Sequence, residues 1–195
     1  MEKNLLVLLC LLYLGAFVAR NLVVKARTGM KVKAGGSLLN ASIVLSALCI
    51  LAALISTYSD RTYGAMGAIA SIRYPAVSAL GLALFAASIL LGWLISARLK
   101  DSWRVGIHAD QQTPLVQGGI YARIRNPYFL NYYLMFLGLW LVRPSLVLAV
   151  LILVTVAVFH RMVLNEEKHL LKIHGKNYLA YLEKTGRYLP RARRP

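Results

Sequence analysis

The residues most able to do chemistry in this sequence are two adjacent carboxylates, Glu166 and Glu167. The chain has only 7 acidic side chains against 23 basic ones, so an acidic pair is unusual in it. The pair follows a long apolar run, and a charge near lipid is costly unless it has a partner or a task. On a helix, neighbouring side chains point about 100° apart, so one carboxylate can face a pocket while the other does not. In the plainer alternative, the pair balances basic residues on its own helix, namely Arg161, Lys168 and Lys172.

A second candidate region is the polar stretch at residues 115–128, which lies between apolar blocks. Its adjacent glycines, Gly118 and Gly119, allow backbone angles or close approaches that a side chain would forbid. Pro127 suits the first position of a helix, because its missing N–H would be unpaired there in any case. Arg123 and Arg125 provide positive charge, so this stretch is suited to an anionic or zwitterionic small molecule.

These polar residues must be positioned by apolar elements. The composition is 58% hydrophobic with 15% charged residues, and the mean hydropathy is +0.60. Three apolar blocks, at residues 5–24, 38–58 and 76–97, each approach the roughly 20 residues that a helix needs to cross about 30 Å of hydrocarbon. The sequence therefore predicts an all-α, polytopic integral membrane protein.

The apolar run at residues 128–159 is interrupted only by Arg143, Pro144 and Ser145. One straight helix of that length would be roughly 48 Å long at about 1.5 Å per residue, too long for the bilayer core. We therefore expect a helical hairpin that turns at Arg143-Pro144, which gives about five transmembrane helices. The organisation predicted is a three-span region at residues 1–100 and one further unit at residues 101–195.

After residue 159 the helical pattern becomes amphipathic, which indicates a helix that leaves the membrane. Gly175 is a plausible end for that helix, and residues 177–183 form one more short helix in this interpretation. His160 shares a helical face with Glu167, and it is either a packing residue or a catalytic one.

The basic residues predict orientation and exclude other classes. With five spans, 18 of them fall on one side and 4 on the other, which places the N-terminus outside and the C-terminal tail in the cytoplasm. The net charge of +16 comes without any zinc-finger, helix-turn-helix or RNA-binding signature, so we expect contact with anionic lipid and no nucleic acid. Cys10 and Cys49 lie inside apolar blocks, so neither a disulfide framework nor a metal site is predicted.

Common catalytic patterns are missing from the sequence. It contains no dinucleotide-binding glycine motif after a strand, no phosphate loop, no nucleophile elbow and no metalloprotease helix. Any cofactor must therefore be held by loops and helix ends.

The C-terminal half, from about Trp103, contains an ordered series of short motifs. They are Leu115-Val116, Gly119-Ile120-Tyr121, Arg125-Asn126-Pro127-Tyr128, a hydrophobic hairpin, Asn165-Glu166-Glu167, Leu170, His174-Gly175-Lys176-Asn177-Tyr178, Tyr181 and Pro190. This series resembles the isoprenylcysteine carboxyl methyltransferase family and the related phospholipid methyltransferases. The family normally has histidine where this chain has Asn126, which keeps hydrogen-bonding capacity and loses the titratable ring.

The resemblance implies an integral membrane enzyme that binds S-adenosylmethionine, and releases S-adenosylhomocysteine, between the loop before the hairpin and the tail helix. The cofactor contacts it implies are Thr113, Pro114, Leu115, Val116, Tyr121, Arg125, Asn126, Pro127, Tyr128, Phe129, Glu166 and Glu167. It also implies that Arg161, next to the family's arginine position at Met162, contacts the substrate, and that Glu167 belongs to the catalytic group.

Three functions follow as alternatives. In the first, the carboxylate of an isoprenylated cysteine or a similar small lipophilic acceptor is methylated at the cytoplasmic boundary, with the acceptor entering from the bilayer. Such an in-line displacement at an anionic acceptor depends on positioning and exclusion of water, and it needs no general base. In the second, the acceptor is an amine or thiol, such as a phospholipid headgroup, and a deprotonating group matters more. In the third, the protein is a non-enzymatic membrane protein.

The predicted orientation can be measured by labelling single cysteines in intact cells. We expect Lys3→Cys to react with a membrane-impermeant thiol reagent and Arg193→Cys to react only after the cells are opened. The parent chain, with Cys10 and Cys49 in apolar blocks, is the control. The opposite labelling pattern would show that the N-terminus lies inside.

Overall fold

The computed structural model describes residues 2–29, 35–99 and 114–191, and the element order is helical throughout. The helices are α1 (Glu2–Thr28), α2 (Ser37–Tyr58), α3 (Asp60–Ala65), α4 (Pro75–Leu99), α5 (Pro127–Val142), α6 (Leu146–His174) and α7 (Lys176–Lys184), with short 3-10 turns at Ala70–Ile72 and Gly119–Ala122. Pairing of extended backbone in those ranges is limited to two isolated bridges.

Four helices, α1, α2, α4 and α6, are long and apolar enough to cross a membrane. The remaining predicted span, α5, is the first arm of the hairpin; it is apolar but has only 16 residues, about 24 Å at 1.5 Å per residue. Large aliphatic side chains such as Leu11, Leu22 and Leu153 are exposed along the spans, as expected for surfaces that face lipid. The predicted class, an all-α polytopic membrane protein, is confirmed. The division between residues 100 and 101 stays a prediction.

The hairpin turns where the sequence predicted, and Arg143 fixes the turn. Its guanidinium donates from Nε to the Ser56 carbonyl oxygen at 2.8 Å and from Nη2 to Asp60 Oδ1 at 3.0 Å, and it lies 4.3 Å above the Tyr63 ring. The Tyr63 hydroxyl in turn donates to the Pro144 carbonyl at 3.0 Å. A buried arginine would be costly at the end of a membrane helix. Here Nε and Nη2 have acceptors, and the planar face of the guanidinium lies on the Tyr63 ring. We call this end of the bundle the turn end.

At the opposite end, which we call the site end, α5 begins and α6 and α7 meet. Pro127 is the first residue of α5, as predicted from its missing N–H. Gly175 ends α6 with φ of 50° and ψ of −123°, which a residue with a side chain rarely adopts, and α7 starts at once at Lys176. The loop before α5 and the short α7 are thereby brought to the same end of the bundle.

Helices α4 and α5 pack closely against each other where Gly81 and Gly138 meet. A Cβ built on Gly138 would lie 2.7 Å from the Gly81 carbonyl oxygen and 3.0 Å from the Phe85 nitrogen. Small residues let helix backbones approach this closely in membranes, where dispersion and shape rather than a hydrophobic drive hold helices together. Next to this crossing, Phe136 and Phe159 stack with centroids 5.9 Å apart in the core.

We expect Gly138→Ala to destabilise the protein by roughly 1–3 kcal/mol, because the added methyl overlaps backbone that cannot move independently. The measurement is thermal unfolding in detergent. Gly15→Ala is the matched control, since Gly15 lies in α1 and an added Cβ would meet no atom within 4 Å. Equal unfolding temperatures for Gly138→Ala and the parent would contradict the close packing.

Candidate active site

The site end contains a cavity of about 360 Å³. It is enclosed by the loop before α5, the last turns of α6, and α7, and it continues between α1, α2 and the hairpin. Its size lies within the range of roughly 300–1,000 Å³ that small-molecule pockets occupy. This is the location at which the sequence predicted that the loop and the tail helix meet.

Most of the predicted cofactor contacts line this one cavity. They are Pro114, Leu115, Val116, Tyr121, Arg125, Asn126, Pro127, Tyr128, Phe129 and Glu166. Thr113 lies outside the described residues. Glu167 and Arg161, the two residues predicted to be catalytic, are not part of the cavity lining.

Glu167 is the centre of a buried polar cluster. Arg187 donates to it from Nε at 3.1 Å to each carboxylate oxygen and from Nη2 at 2.8 Å to Oε2. On the other oxygen, Arg125 Nε donates at 3.2 Å and Asn126 Nδ2 donates at 2.9 Å. Its partners therefore come from two other elements, and not from Arg161, Lys168 or Lys172 on its own helix. With both oxygens occupied, the geometry gives Glu167 a structural role and lends no support to a catalytic one.

Glu166 has a different environment from its neighbour. It lines the cavity, it is partly buried, and it makes no hydrogen bond or ion pair with any described residue. A carboxylate at the end of a membrane helix is costly without a partner. Because the rotation between successive residues turns it away from the Glu167 cluster, Glu166 is the carboxylate available to a ligand.

Arg161 is exposed on α6 and gains no support from the geometry as a substrate contact. The adjacent Met162, the position matching the family's arginine, lines the cavity instead. The Nδ1 atom of His160 lies 2.8 Å from the Tyr188 hydroxyl and the residue is outside the cavity lining, which favours the packing interpretation.

Three tyrosines build the polar wall of the cavity. Tyr121, Tyr178 and Tyr181 all line it, and the Tyr181 hydroxyl donates to the Tyr121 carbonyl oxygen at 2.7 Å. Burial raises the pKa of Tyr181 to about 12 and the pKa of Tyr121 and Tyr178 further above the ordinary value. All three are neutral near pH 7, so their rings offer flat, uncharged surfaces to a ligand.

Several cavity residues were not predicted from the sequence. Tyr178 and Tyr181 belong to the quoted motif series, so a signal for them was present without a role. His174 belongs to the same series, whereas His169 and the contributions of α1 and α2 carried no motif. The members from α1 and α2 are Tyr13, Leu14, Phe17, Leu39, Ser42, Ile43, Ser46, Ala47 and Ile50.

The cavity thus changes character along its length. Near α7 it presents Glu166, Tyr121, Tyr178 and Tyr181, whereas between α1, α2 and the hairpin its walls are chiefly aliphatic and aromatic. Leu14 and Ile43, which belong to the apolar part, are also exposed on the spans. A polar ligand and an apolar one can therefore occupy the two parts and meet between them.

A family model for phospholipid methyltransferases matches residues 76–177, slightly more than half of the chain. The chain belongs to the phospholipid methyltransferase family. That family includes proteins similar to isoprenylcysteine carboxyl methyltransferase, so the resemblance is confirmed at the coarser level of a membrane methyltransferase. No curated protein matches the chain.

The methyl donor of such enzymes is typically S-adenosylmethionine, and the residues present fit it. Glu166 offers an unpaired carboxylate for an ammonium or a ribose hydroxyl, and the tyrosine rings with Leu115 and Val116 offer flat and apolar surfaces for a purine.

We expect Glu166→Gln to weaken the binding of S-adenosylhomocysteine by tenfold to a hundredfold, because a hydrogen bond to a charged group is worth about 1.5–3 kcal/mol. Calorimetry of the purified protein measures it. Glu183→Gln is the matched control, since Glu183 is exposed on α7 and outside the cavity. Equal affinities for Glu166→Gln and the parent would remove Glu166 from the site.

Proposed function

We propose that the protein is an S-adenosylmethionine-dependent methyltransferase that methylates the carboxylate of an isoprenylated cysteine or a similar small lipophilic acceptor. The observation that carries this proposal is the single cavity that joins an unpaired carboxylate, Glu166, to an apolar channel between α1, α2 and the hairpin. Membership of a methyltransferase family supports the reaction type, and the motif series around Asn126 and Glu166 supports the acceptor class.

In this proposal the polar part of the cavity holds the cofactor. Glu166 accepts hydrogen bonds from its ammonium or ribose hydroxyls, and Tyr121, Leu115 and Val116 cover its purine. Asn126 and Arg125 line the same space, but Asn126 Nδ2 and Arg125 Nε donate to Glu167 and Arg125 Nη1 donates to backbone carbonyls, so both residues form part of the cavity wall. When bound, the cofactor supplies an activated methyl group on a positively charged sulfur.

The apolar part of the cavity takes the acceptor's hydrocarbon. Leu14, Ile43 and Ile50 from the first two spans and Met135 and Phe159 from the hairpin line it. Since Leu14 and Ile43 are also exposed towards lipid, a hydrocarbon chain enters sideways from the bilayer without crossing water. The acceptor's polar end then lies against the polar part of the cavity.

The protein's contribution to the reaction is positioning and exclusion of water. An anionic acceptor is already a nucleophile, so no residue has to remove a proton, and the cavity walls hold the reacting groups in line. The tyrosine wall and the aromatic residues Tyr132 and Phe159, stacked 4.8 Å apart, keep the space between the two ligands dry.

A phospholipid amine is the second candidate acceptor, and one observation favours it. Arg125 is the arginine that lines the described part of the cavity, and it is committed to Glu167 and to the carbonyls of Leu182 and Thr185. A carboxylate acceptor therefore meets no free arginine among the described residues, whereas a cationic headgroup meets Glu166. The ammonium of such a headgroup must lose a proton before it can accept a methyl group. In this alternative His169, which lies one turn from Glu166 on the cavity wall, is the residue placed to take that proton.

The site is proposed to face the cytoplasm, where the soluble cofactor is made available. The distribution of basic residues in the sequence supports this orientation, because the loop before α5 and the tail after α6 belong to the basic side.

Methyl transfer from radiolabelled S-adenosylmethionine tests the function in detergent-solubilised protein. We expect labelled methyl ester on a farnesylcysteine analogue, sensitive to mild base, and loss of transfer in Glu166→Gln. Phosphatidylethanolamine is assayed in parallel, and base-stable label in that lipid alone would select the amine acceptor. Failure to bind S-adenosylhomocysteine would exclude both methyltransferase hypotheses and would favour the third alternative, a non-enzymatic membrane protein.

A further inference from the structure

The C-terminal segment after α7 folds back against the loop before α5 and lies outside the cavity lining. Its residues 185–188, which we call the C-terminal strap, pair with the loop before α5. Gly186 N–H donates to the Arg123 carbonyl at 3.0 Å, and the N–H groups of Arg125 and Asn126 donate back to Gly186 and Arg187 at 2.8 and 3.0 Å. The strap and the loop therefore form one short parallel pairing, between Ile124 and Gly186.

The geometry of the strap requires its glycine. A Cβ on Gly186 would overlap the Leu189 carbonyl oxygen, so a larger residue there would force the turn at residues 186–189 to open. Two side chains then leave this turn towards the helices. Arg187 reaches Glu167 on α6, and the Tyr188 hydroxyl lies 2.8 Å from His160 Nδ1 and accepts from Tyr133 at 3.3 Å.

Arg187 is the member of the Glu167 cluster that comes from outside the cavity wall. It presents a fork to both carboxylate oxygens, and its hydrogen bond to Glu167 raises the pKa of its own guanidinium. Arg125 and Asn126 hold Glu167 from the loop side. Glu167 is thereby fixed between loop and strap, which sets the rotation of the last turns of α6 and leaves Glu166 facing the cavity.

We propose that Arg187 is a positioning residue of the cofactor site, and that the C-terminal strap holds the loop before α5 and the end of α6 at the separation that binds the cofactor. This inference rests on the proposed function for the identity of the ligand. Arg187 touches neither ligand in this scheme and acts through Glu167 and through the backbone of Asn126.

The test is the affinity of purified full-length protein for S-adenosylhomocysteine, measured by calorimetry. We expect Arg187→Met to bind about tenfold more weakly, because it removes charge-assisted hydrogen bonds to Glu167 and keeps the apolar stem. Arg187→Lys keeps the charge without the fork, so its affinity should lie between those of Arg187→Met and the parent. Arg191→Met is the matched control, since Arg191 is exposed, its guanidinium donates to the carbonyls of Leu182 and Glu183, and the variant should bind as the parent does.

A second readout needs no cofactor. Hydrogen exchange of the Arg125 and Asn126 amides, which the strap pairs, should be faster in Arg187→Met than in the parent and in Arg191→Met. A double-mutant cycle that combines Arg187→Met with Glu167→Gln completes the test. In the Glu167→Gln background, Arg187→Met should cause little further loss of affinity for S-adenosylhomocysteine.

Several outcomes would overturn the proposal. One is that Arg187→Met keeps both the parent's affinity for S-adenosylhomocysteine and the parent's amide exchange rates. Another is that Arg187→Met unfolds at a lower temperature but keeps the parent's affinity, because Arg187 would then stabilise the fold without positioning the site. If Arg187→Met does not fold, parent-like affinity together with parent-like exchange of the Arg125 and Asn126 amides in Arg187→Lys would overturn it equally. A parent protein that binds no S-adenosylhomocysteine contradicts the proposed function instead, and the exchange measurement still decides whether the strap controls the loop.

Discussion

The carboxylate of Glu167 joins the separate parts of the site. Its two oxygens accept hydrogen bonds from Arg125 and Asn126 in the loop before α5 and from Arg187 after α7. These segments lie far apart in sequence and pair through only a short parallel bridge between Ile124 and Gly186, so a shared side-chain partner strengthens their contact at the end of the bundle. A carboxylate between two arginines is stable in such a place, because both of its oxygens accept charge-assisted hydrogen bonds.

The helix that carries Glu167 determines what the neighbouring residue does. Since α6 continues for about four turns beyond His160, its last part leaves the hydrocarbon and presents successive side chains to different surroundings. Glu167 turns towards the arginines and Glu166 towards the cavity. The two acidic residues therefore have different roles. Glu167 connects the loop, α6 and the segment after α7, and Glu166 is available to a ligand.

The sequence predicted local features well and distant contacts poorly. Apolar length located the spans, and the chemistry of Pro127 and Gly175 located the start of α5 and the end of α6, because those properties act within a few residues. The plainer alternative placed the partners of Glu167 on its own helix. They are instead Arg125, Asn126 and Arg187, and helical spacing carries no information on which loops fold back. The contribution of α1 and α2 to the cavity had no sequence signal either, because a cavity-lining Ile43 and a lipid-facing leucine have the same pattern.

Asn126 shows how a departure from the family pattern can be absorbed. Its side chain makes no capping hydrogen bond to α5, and its Nδ2 donates to Glu167 Oε1 at 2.9 Å from a buried position. An imidazole N–H makes the same donation, so histidine and asparagine are equivalent as far as Glu167 is concerned. They differ in charge, because histidine can add a proton beside two arginines and asparagine cannot. With Arg125 and Arg187 already opposite one carboxylate, the cluster carries a net positive charge, so a neutral donor suffices at this position and avoids a third cation.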